Sequence, residues 1–206
     1  MNAKRINKES LKEQVRNILY DKIVSGEFSP NERLKIIPIA KALDVSQAPV
    51  REAIQCLITS GHLEHIPNVG VRVKEFTKTE IQETYKVREA LEIASLKDCK
   101  DEPQVVAENL ERALKRMQSA CAQENVQGYI THNNTFHRCL VQASKNGKML
   151  EVWESLHLPL YMKQTLNGLD ISLDDALPLH EPIITALKNN NVEQAIKALE
   201  AHYFFV

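Results

Sequence analysis

The order of predicted elements in the first 75 residues constrains the fold of this chain more than any other feature. Apolar residues at helical spacing predict three helices, over 10–24, 36–43 and 48–61. Two short alternating runs, 63–66 and 71–73, then flank Pro67-Asn68-Val69-Gly70, which is typical of a hairpin turn. Three helices followed by a hairpin form the arrangement of a winged helix-turn-helix.

Beyond this hairpin the pattern is helical to the end of the chain. Thr77-Lys78-Thr79-Glu80 is a capping box that begins a long helix reaching about Cys99. Further helices are predicted over 103–123, 127–145, 148–167, 179–189 and 192–205. Their apolar stripes have to be buried against one another. We therefore predict a mostly α protein, with a winged helix-turn-helix over 1–75 and an all-α helical bundle over 76–206.

Charge is distributed unevenly between these two predicted domains. Residues 1–75 contain 12 Lys and Arg against 9 Asp and Glu, whereas 76–206 contain 14 against 18. A basic front half on an acidic body favours a DNA-binding module joined to a regulatory domain. The chain shows no secretory signal and no stretch of about 18 apolar residues, so we expect a cytoplasmic protein without a membrane partner.

The predicted third helix supplies the candidate DNA-reading residues. In a helix-turn-helix, the first turn of the second helix presents polar side chains and backbone N–H groups to bases and phosphates in the major groove. That turn is here Ser46-Gln47-Ala48-Pro49, with Arg51 one turn further on as a candidate phosphate contact. The hairpin would bring Asn68 and Gly70 to the adjacent minor groove.

Three stretches of this region resemble the GntR family of bacterial regulators. They are Ile23-Val24-Ser25-Gly26-Glu27, then Val45-Ser46 with Pro49-Val50-Arg51-Glu52-Ala53, and Pro67-Asn68 with Gly70. The resemblance implies a homodimer on a palindromic double-stranded DNA operator. Family members usually have arginine where this chain has Ile37, Gln47 and Val69.

The loss of these arginines leaves two interpretations. In one, the operator differs from that of other members, because glutamine favours adenine where arginine favours guanine. Arg33, Lys35 and Lys41 would then replace part of the lost phosphate attraction. In the other, the winged domain has lost tight DNA binding and serves as a ligand-binding or interaction module.

Polar residues in the second half form a candidate metal site. Asn133 and His137 are four residues apart on one predicted helix and face the same side. His180 and His202 belong to the last two predicted helices. A carboxamide and three imidazoles that converge inside a bundle can hold a divalent transition metal.

The same half resembles the FadR-like sensor domain, often called FCD. The matching pieces are Val87-Arg88-Glu89 with Leu91-Glu92, Phe136-His137-Arg138 with Leu140, and the tail histidines His180 and His202. In metal-binding members an aspartate four residues before the first histidine completes the set, and Asn133 stands at that position. The resemblance therefore implies a zinc, nickel or manganese site of reduced affinity. Alternatively, the three histidines line a polar pocket and bind the effector directly.

Arg88 is the candidate clamp for an effector carboxylate, since a guanidinium matches a carboxylate in a bidentate fork. The alternative is a salt bridge from Arg88 to Glu89, Glu92 or another acid. Tyr85 and Asn134 are further candidates for the effector cavity. The effector is expected to be a small organic acid.

These observations together predict a bacterial transcription repressor whose operator binding is controlled by an acid bound in the helical domain. A metal-dependent enzyme is the weaker alternative, because three histidines with an open position can activate water. However, the chain lacks H-E-x-x-H and G-x-G-x-x-G motifs. We therefore predict that it is not an enzyme.

Overall fold

A computed structural model describes residues 9–99, 102–156, 159, 161–162 and 173–204. The chain divides into two compact units at the junction of Glu75 and Phe76. Each unit has its own core and is described by itself below. Among the described residues, no helix combines the length and the apolar character needed to cross a membrane.

The N-terminal unit is a winged helix-turn-helix, which confirms the predicted fold class. Its elements are α1 (Leu11–Ser25), β1 (Arg33–Leu34), α2 (Ile36–Ala42), α3 (Gln47–Thr59), β2 (Leu63–Ile66) and β3 (Gly70–Val73). The core side chains come mainly from α1 and α3: Val15, Leu19, Ile23, Val50, Ala53, Ile54 and Leu57. This packing holds α3 in place while one of its faces stays exposed.

Local signals fix the ends of α1. The Ser10 side chain accepts a hydrogen bond from the backbone of Glu13, and the Glu13 side chain accepts one from the backbone of Ser10. This reciprocal pair is a capping box. At the other end, Gly26 adopts a left-handed conformation with φ of 80°, which ends the helix without steric cost.

Strand β1 was not predicted. It pairs antiparallel with β3, Arg33 opposite Arg72 and Leu34 opposite Val71, and the sheet order is β1-β3-β2. Two residues are too few to show an alternating pattern, so the sequence gives no period to detect. The strand matters because it places Arg33 beside the hairpin.

The C-terminal unit is all-α, as predicted. Its elements are α4 (Lys78–Asp98), α5 (Pro103–Ala122), α6 (Val126–Gln142), α7 (Gly147–Glu154), α8 (Leu173–Ala176), a 3-10 turn (Leu177–His180), α9 (Glu181–Lys188) and α10 (Val192–Phe204). The predicted Thr77–Glu80 capping box begins α4. Large side chains from α5, α6, α9 and α10 form one core, including Leu110, Met117, Tyr129, Phe136, Leu187 and Leu199.

Two predicted helices were wrong in extent. The helix predicted over 148–167 ends at Glu154, and part of the remaining stretch lies outside the described residues. Pro159 explains the end, because its ring would clash with the carbonyl of Ser155 in a continuous helix. The helix predicted over 179–189 begins only at Glu181, since Pro182 suits a first helical turn. His180 therefore lies in the 3-10 turn before α9.

Candidate functional site

The first turn of α3 presents the predicted recognition residues to solvent. Ser46 is the N-cap residue, but its side chain makes no capping hydrogen bond within the described part of the chain. Gln47, Ala48 and Arg51 follow it and are exposed. Buried Val50 and Ala53 hold this turn against the core. The turn is thus rigidly placed, with its polar groups available to a ligand.

A groove separates α3 from α2 and the sheet. Side chains from all three elements line it: Arg33, Lys35, Ile37, Gln47, Arg51, Gln55, His65 and Val71 among others. Three of these residues carry positive charge and are exposed, namely Arg33, Lys35 and Arg51. Such a surface suits a phosphate backbone. Five of the eight predicted DNA-binding residues therefore line one groove. They are Arg33, Lys35, Gln47, Arg51 and Gly70.

The backbone conformation of the hairpin tip restricts which residue types can occupy it. Gly70 has φ of 106°, and a Cβ added there would lie 3.3 Å from Nε of Arg33. Both observations restrict this position to glycine. Asn68 is exposed with φ of 62°, a left-handed conformation that asparagine tolerates. The close approach holds the Arg33 guanidinium against the start of β3.

Two of the positions that lack arginine hold exposed apolar side chains. Ile37 is 67% exposed and Val69 is 43% exposed. Ile37 lies on α2 in the groove, whereas Val69 lies at the hairpin tip between Asn68 and Gly70. These side chains replace charge with apolar surface on an otherwise basic face.

The second candidate site is a buried histidine cluster in the C-terminal unit. One ring nitrogen from each of His137, His180 and His202 lies within 4.8 Å of the others. The ring centroids are 4.6–5.6 Å apart. Each ring is at most 7% exposed. The predicted convergence of these histidines is therefore present in the structure.

Hydrogen bonds orient two of the rings. Nδ1 of His137 lies 2.7 Å from Oε2 of Glu92, so Nδ1 carries the proton and Nε2 is left as a lone pair. Nδ1 of His180 lies 3.2 Å from the carbonyl oxygens of Ala176 and Leu177, and it donates to them. His180 Nε2 then accepts a hydrogen bond of 2.9 Å from the Asn133 amide nitrogen.

Two ring nitrogens of the cluster have no hydrogen-bond partner in the part of the chain that the structure describes. They are His137 Nε2 and His202 Nδ1, and both atoms are buried. Leaving such atoms unsatisfied costs free energy. Together with His180 Nε2, they form a group of buried ring nitrogens suited to a cation.

All three imidazoles are neutral near pH 7. Burial and the positive charge of Arg88 lower the pKa of His137 well below its usual value. Burial likewise lowers the pKa of His180 to about 4. Burial and the two other histidines lower the pKa of His202 well below its usual value. Neutral imidazole is the form that binds a metal ion.

Glu92 joins the cluster to Arg88. Its carboxylate is fully buried and accepts four hydrogen bonds of 2.7–2.9 Å, from Nε of Arg88, Nδ1 of His137, Nε1 of Trp153 and the hydroxyl of Tyr203. In the sequence, Glu92 stands out only as part of the FCD resemblance and as a possible salt-bridge partner of Arg88. Trp153 and Tyr203 were missed, because no local spacing connects them to α4.

Arg88 combines features of both interpretations given to it. It is 3% exposed and forms the salt bridge to Glu92, and its guanidinium carbon lies 5.6 Å from the rings of Tyr85 and Tyr203. However, its Nη2 has no hydrogen-bond partner in the part of the chain that is described. A buried donor thus remains for an anion, although Nε is already engaged.

The other two effector candidates differ in position. Tyr85 is buried beside Arg88. Asn134 is half-buried on α6 and points away from its neighbour Asn133, since adjacent helical residues are about 100° apart. The described contacts do not bring Asn134 into the cluster.

Comparison with known protein families shows which family this chain belongs to. Residues 11–73 match the bacterial regulatory proteins of the gntR family, and residues 83–204 match the FCD domain. The chain belongs to the GntR family. This confirms the resemblance drawn from the sequence motifs. It also identifies the chain as a DNA-binding transcription regulator and not an enzyme.

Individual GntR relatives agree with this assignment over nearly the whole chain. A protein of Paenarthrobacter nicotinovorans, named the probable D-xylose utilization operon transcriptional repressor, is 30% identical over 97% of this chain and 88% of its own length. The gluconate operon transcriptional repressor of Bacillus subtilis is 25% identical, with coverage of 98% and 85%. A solved GntR regulator from Rhodococcus sp. RHA1 superimposes with a TM-score of 0.82 at 29% identity, covering 95% of both chains.

Proposed function

We propose that this GntR-family chain is a transcription repressor that releases its operator when an organic acid binds beside a divalent metal in the helical unit. The observation that supports it best is the buried histidine cluster, with unpaired ring nitrogens, joined through Glu92 to an arginine that keeps a free N–H. The basic groove beside α3 is the surface that would bind the operator DNA. Two of the relatives described above are named as operon repressors, which favours repression.

Operator binding in this proposal uses the exposed turn of α3. Gln47 faces the bases of the major groove, and Arg51 and Lys35 hold phosphates on either side. Two chains related by a two-fold axis would place two α3 helices on a palindrome, in successive major grooves. We therefore expect the active form to be a homodimer.

The residues of the cluster fit a divalent metal. His137, His180 and His202 would each offer one ring nitrogen to the ion, and the Asn133 amide would turn over to offer its oxygen instead of its nitrogen. Three imidazoles with one amide oxygen suit zinc, nickel or manganese. When bound, such an ion supplies positive charge that attracts a carboxylate. Glu92 fixes the His137 ring in the ligating orientation.

Arg88 favours an acid as the effector. Its charge contributes to the lowered pKa of all three histidines, so it acts on the same small volume as the cluster. An anion between the guanidinium and the cluster would gain from both. The relative named for the gluconate operon makes a sugar acid the first class to test.

The test of this proposal is operator release. The full-length protein would select fragments from its source genome, and binding to an enriched duplex would be measured by fluorescence anisotropy. With zinc present, gluconate should weaken binding by about 5–150-fold, the usual range for allosteric coupling. The His202→Ala variant is the control and should lose this response.

Two outcomes would contradict the proposal in different ways. Operator affinity that is unchanged by gluconate and other small organic acids would disprove acid-controlled release. Failure to enrich any DNA would instead support the interaction-module interpretation, in which the missing arginines have disabled the winged unit.

Substitutions on α3 should distinguish a residue that contributes affinity for any DNA from a residue that contributes sequence specificity. Arg51→Ala removes one phosphate contact per half-site, so binding of the dimer should weaken on all sequences and the slope of log K against log salt should fall by about 1.8. Gln47→Ala should instead relax the preference at one base pair per half-site, worth about 1–3 kcal/mol. Anisotropy titrations at several salt concentrations measure both effects. Equal losses on cognate and random DNA for both variants would contradict this division.

A further inference from the structure

Ile37 is unusual among the apolar residues of the N-terminal unit. Its side chain is 67% exposed, compared with 49% for Leu11 and 39% for Ile18. Single exposed apolar residues are common on protein surfaces. Ile37, however, lies in the groove that also contains Arg33 and Lys35. An apolar side chain among basic side chains suits a partner that carries negative charge and also has a small apolar group.

The DNA major groove offers such a partner. Phosphates line its edges, and the C5-methyl group of thymine is the apolar feature that the base pairs present there. Gln47 lies in the same groove as Ile37 and matches the N6 and N7 edge of adenine. The two side chains thus suit neighbouring features of A·T pairs.

The exposed apolar residue at the hairpin tip does not share this role. Val69 lies where a wing meets the minor groove, and the minor-groove edges of A·T pairs present acceptors and no methyl group. The inference therefore concerns Ile37 alone.

We propose that Ile37 is a specificity-determining residue that packs against a thymine C5-methyl group in each operator half-site, near the base pair contacted by Gln47. The inference rests on the operator binding proposed above. Burying one methyl group is worth about a fourfold change in affinity. Arginine at this position would bind a phosphate or guanine and would be indifferent to that methyl group.

Deoxyuridine tests the proposal, because it lacks the C5-methyl group of thymidine and is otherwise the same base. The full-length protein would first select a duplex from a random-sequence library. Each dT of one half-site would then be replaced in turn by deoxyuridine, and affinity measured at fixed salt. The same series would be measured for Ile37→Ala and for Leu11→Ala, an exposed apolar control on α1.

The expected result is one position per half-site where deoxyuridine weakens wild-type binding by about three- to fivefold. Ile37→Ala should bind the unmodified duplex more weakly than wild type binds the substituted one, because the variant loses the contact in both half-sites, and it should lose the sensitivity to deoxyuridine. Leu11→Ala and Gln47→Ala should retain it. This cycle isolates the contact because deoxyuridine weakens the binding of wild type and leaves the binding of Ile37→Ala unchanged.

Two results would overturn the inference, and they are distinguishable. If a binding sequence is selected but the deoxyuridine profile of Ile37→Ala equals that of wild type, the inference fails and the proposed function stands. If no sequence is selected at all, operator binding and the role of Ile37 fail together.

Discussion

Glu92→Leu is expected to lower the free energy of unfolding of the helical unit by about 3–5 kcal/mol. The substitution leaves the Arg88 guanidinium, 3% exposed, without its counter-charge. It also removes the acceptor for the N–H and O–H groups of His137, Trp153 and Tyr203. Urea unfolding, followed by fluorescence of the single tryptophan, measures the change.

A surface pair supplies the matched control for this prediction. Arg138 and Glu154 form a salt bridge between α6 and α7, with side chains 40% and 46% exposed. Surface pairs contribute about 0–1 kcal/mol, so Glu154→Leu should move the urea midpoint little. If Glu92→Leu is as stable as Glu154→Leu, the buried carboxylate does not support the unit.

The double variant Arg88→Met with Glu92→Leu distinguishes charge burial from general damage to the core. Replacing a whole buried ion pair with apolar residues is often neutral. We therefore expect the double variant to recover part of the stability lost in Glu92→Leu. Recovery stays partial because three donors still lack an acceptor.

The elements of this fold with strong local signals could be predicted from the sequence. Capping residues fixed the starts of α1 and α4, and apolar spacing gave the helices that build the core. Strand β1 and the 3-10 turn before α9 were not predictable in this way. The first is two residues long and the second depends on two prolines, Pro178 and Pro182.

The candidate metal site was only partly predictable, for a physical reason. Asn133 and His137 share a helix face by spacing, whereas the approach of His180 and His202 is a tertiary outcome that resemblance alone implied. Glu92 shows the limit most clearly. From spacing, Glu92 is one of several acids that could pair with Arg88, and nothing in the spacing indicates that the pair is buried. The other partners of Glu92, Trp153 and Tyr203, lie 61 and 111 residues away in the sequence, so only the fold reveals the buried network.

Asn133→Asp is expected to tighten zinc binding by about 10–100-fold, since a carboxylate adds negative charge to a buried site where charges interact strongly. Competition with a chromophoric chelator measures the dissociation constant. Asn134→Asp is the matched control, because it adds the same charge to the same helix on another face. His202→Ala should weaken binding by about a hundredfold, as one ligand is lost.

These variants also test how metal and acid depend on each other. With Asn133, a filled site would carry one more positive charge than with aspartate, so a carboxylate effector should strengthen zinc binding more in wild type than in Asn133→Asp. Linkage then requires zinc to strengthen binding of the acid by the same factor. Wild type that binds no zinc, nickel or manganese, with or without acid, would instead support histidines that bind the effector directly. Equal tightening in Asn134→Asp would assign the effect to net charge and not to Asn133 as a ligand.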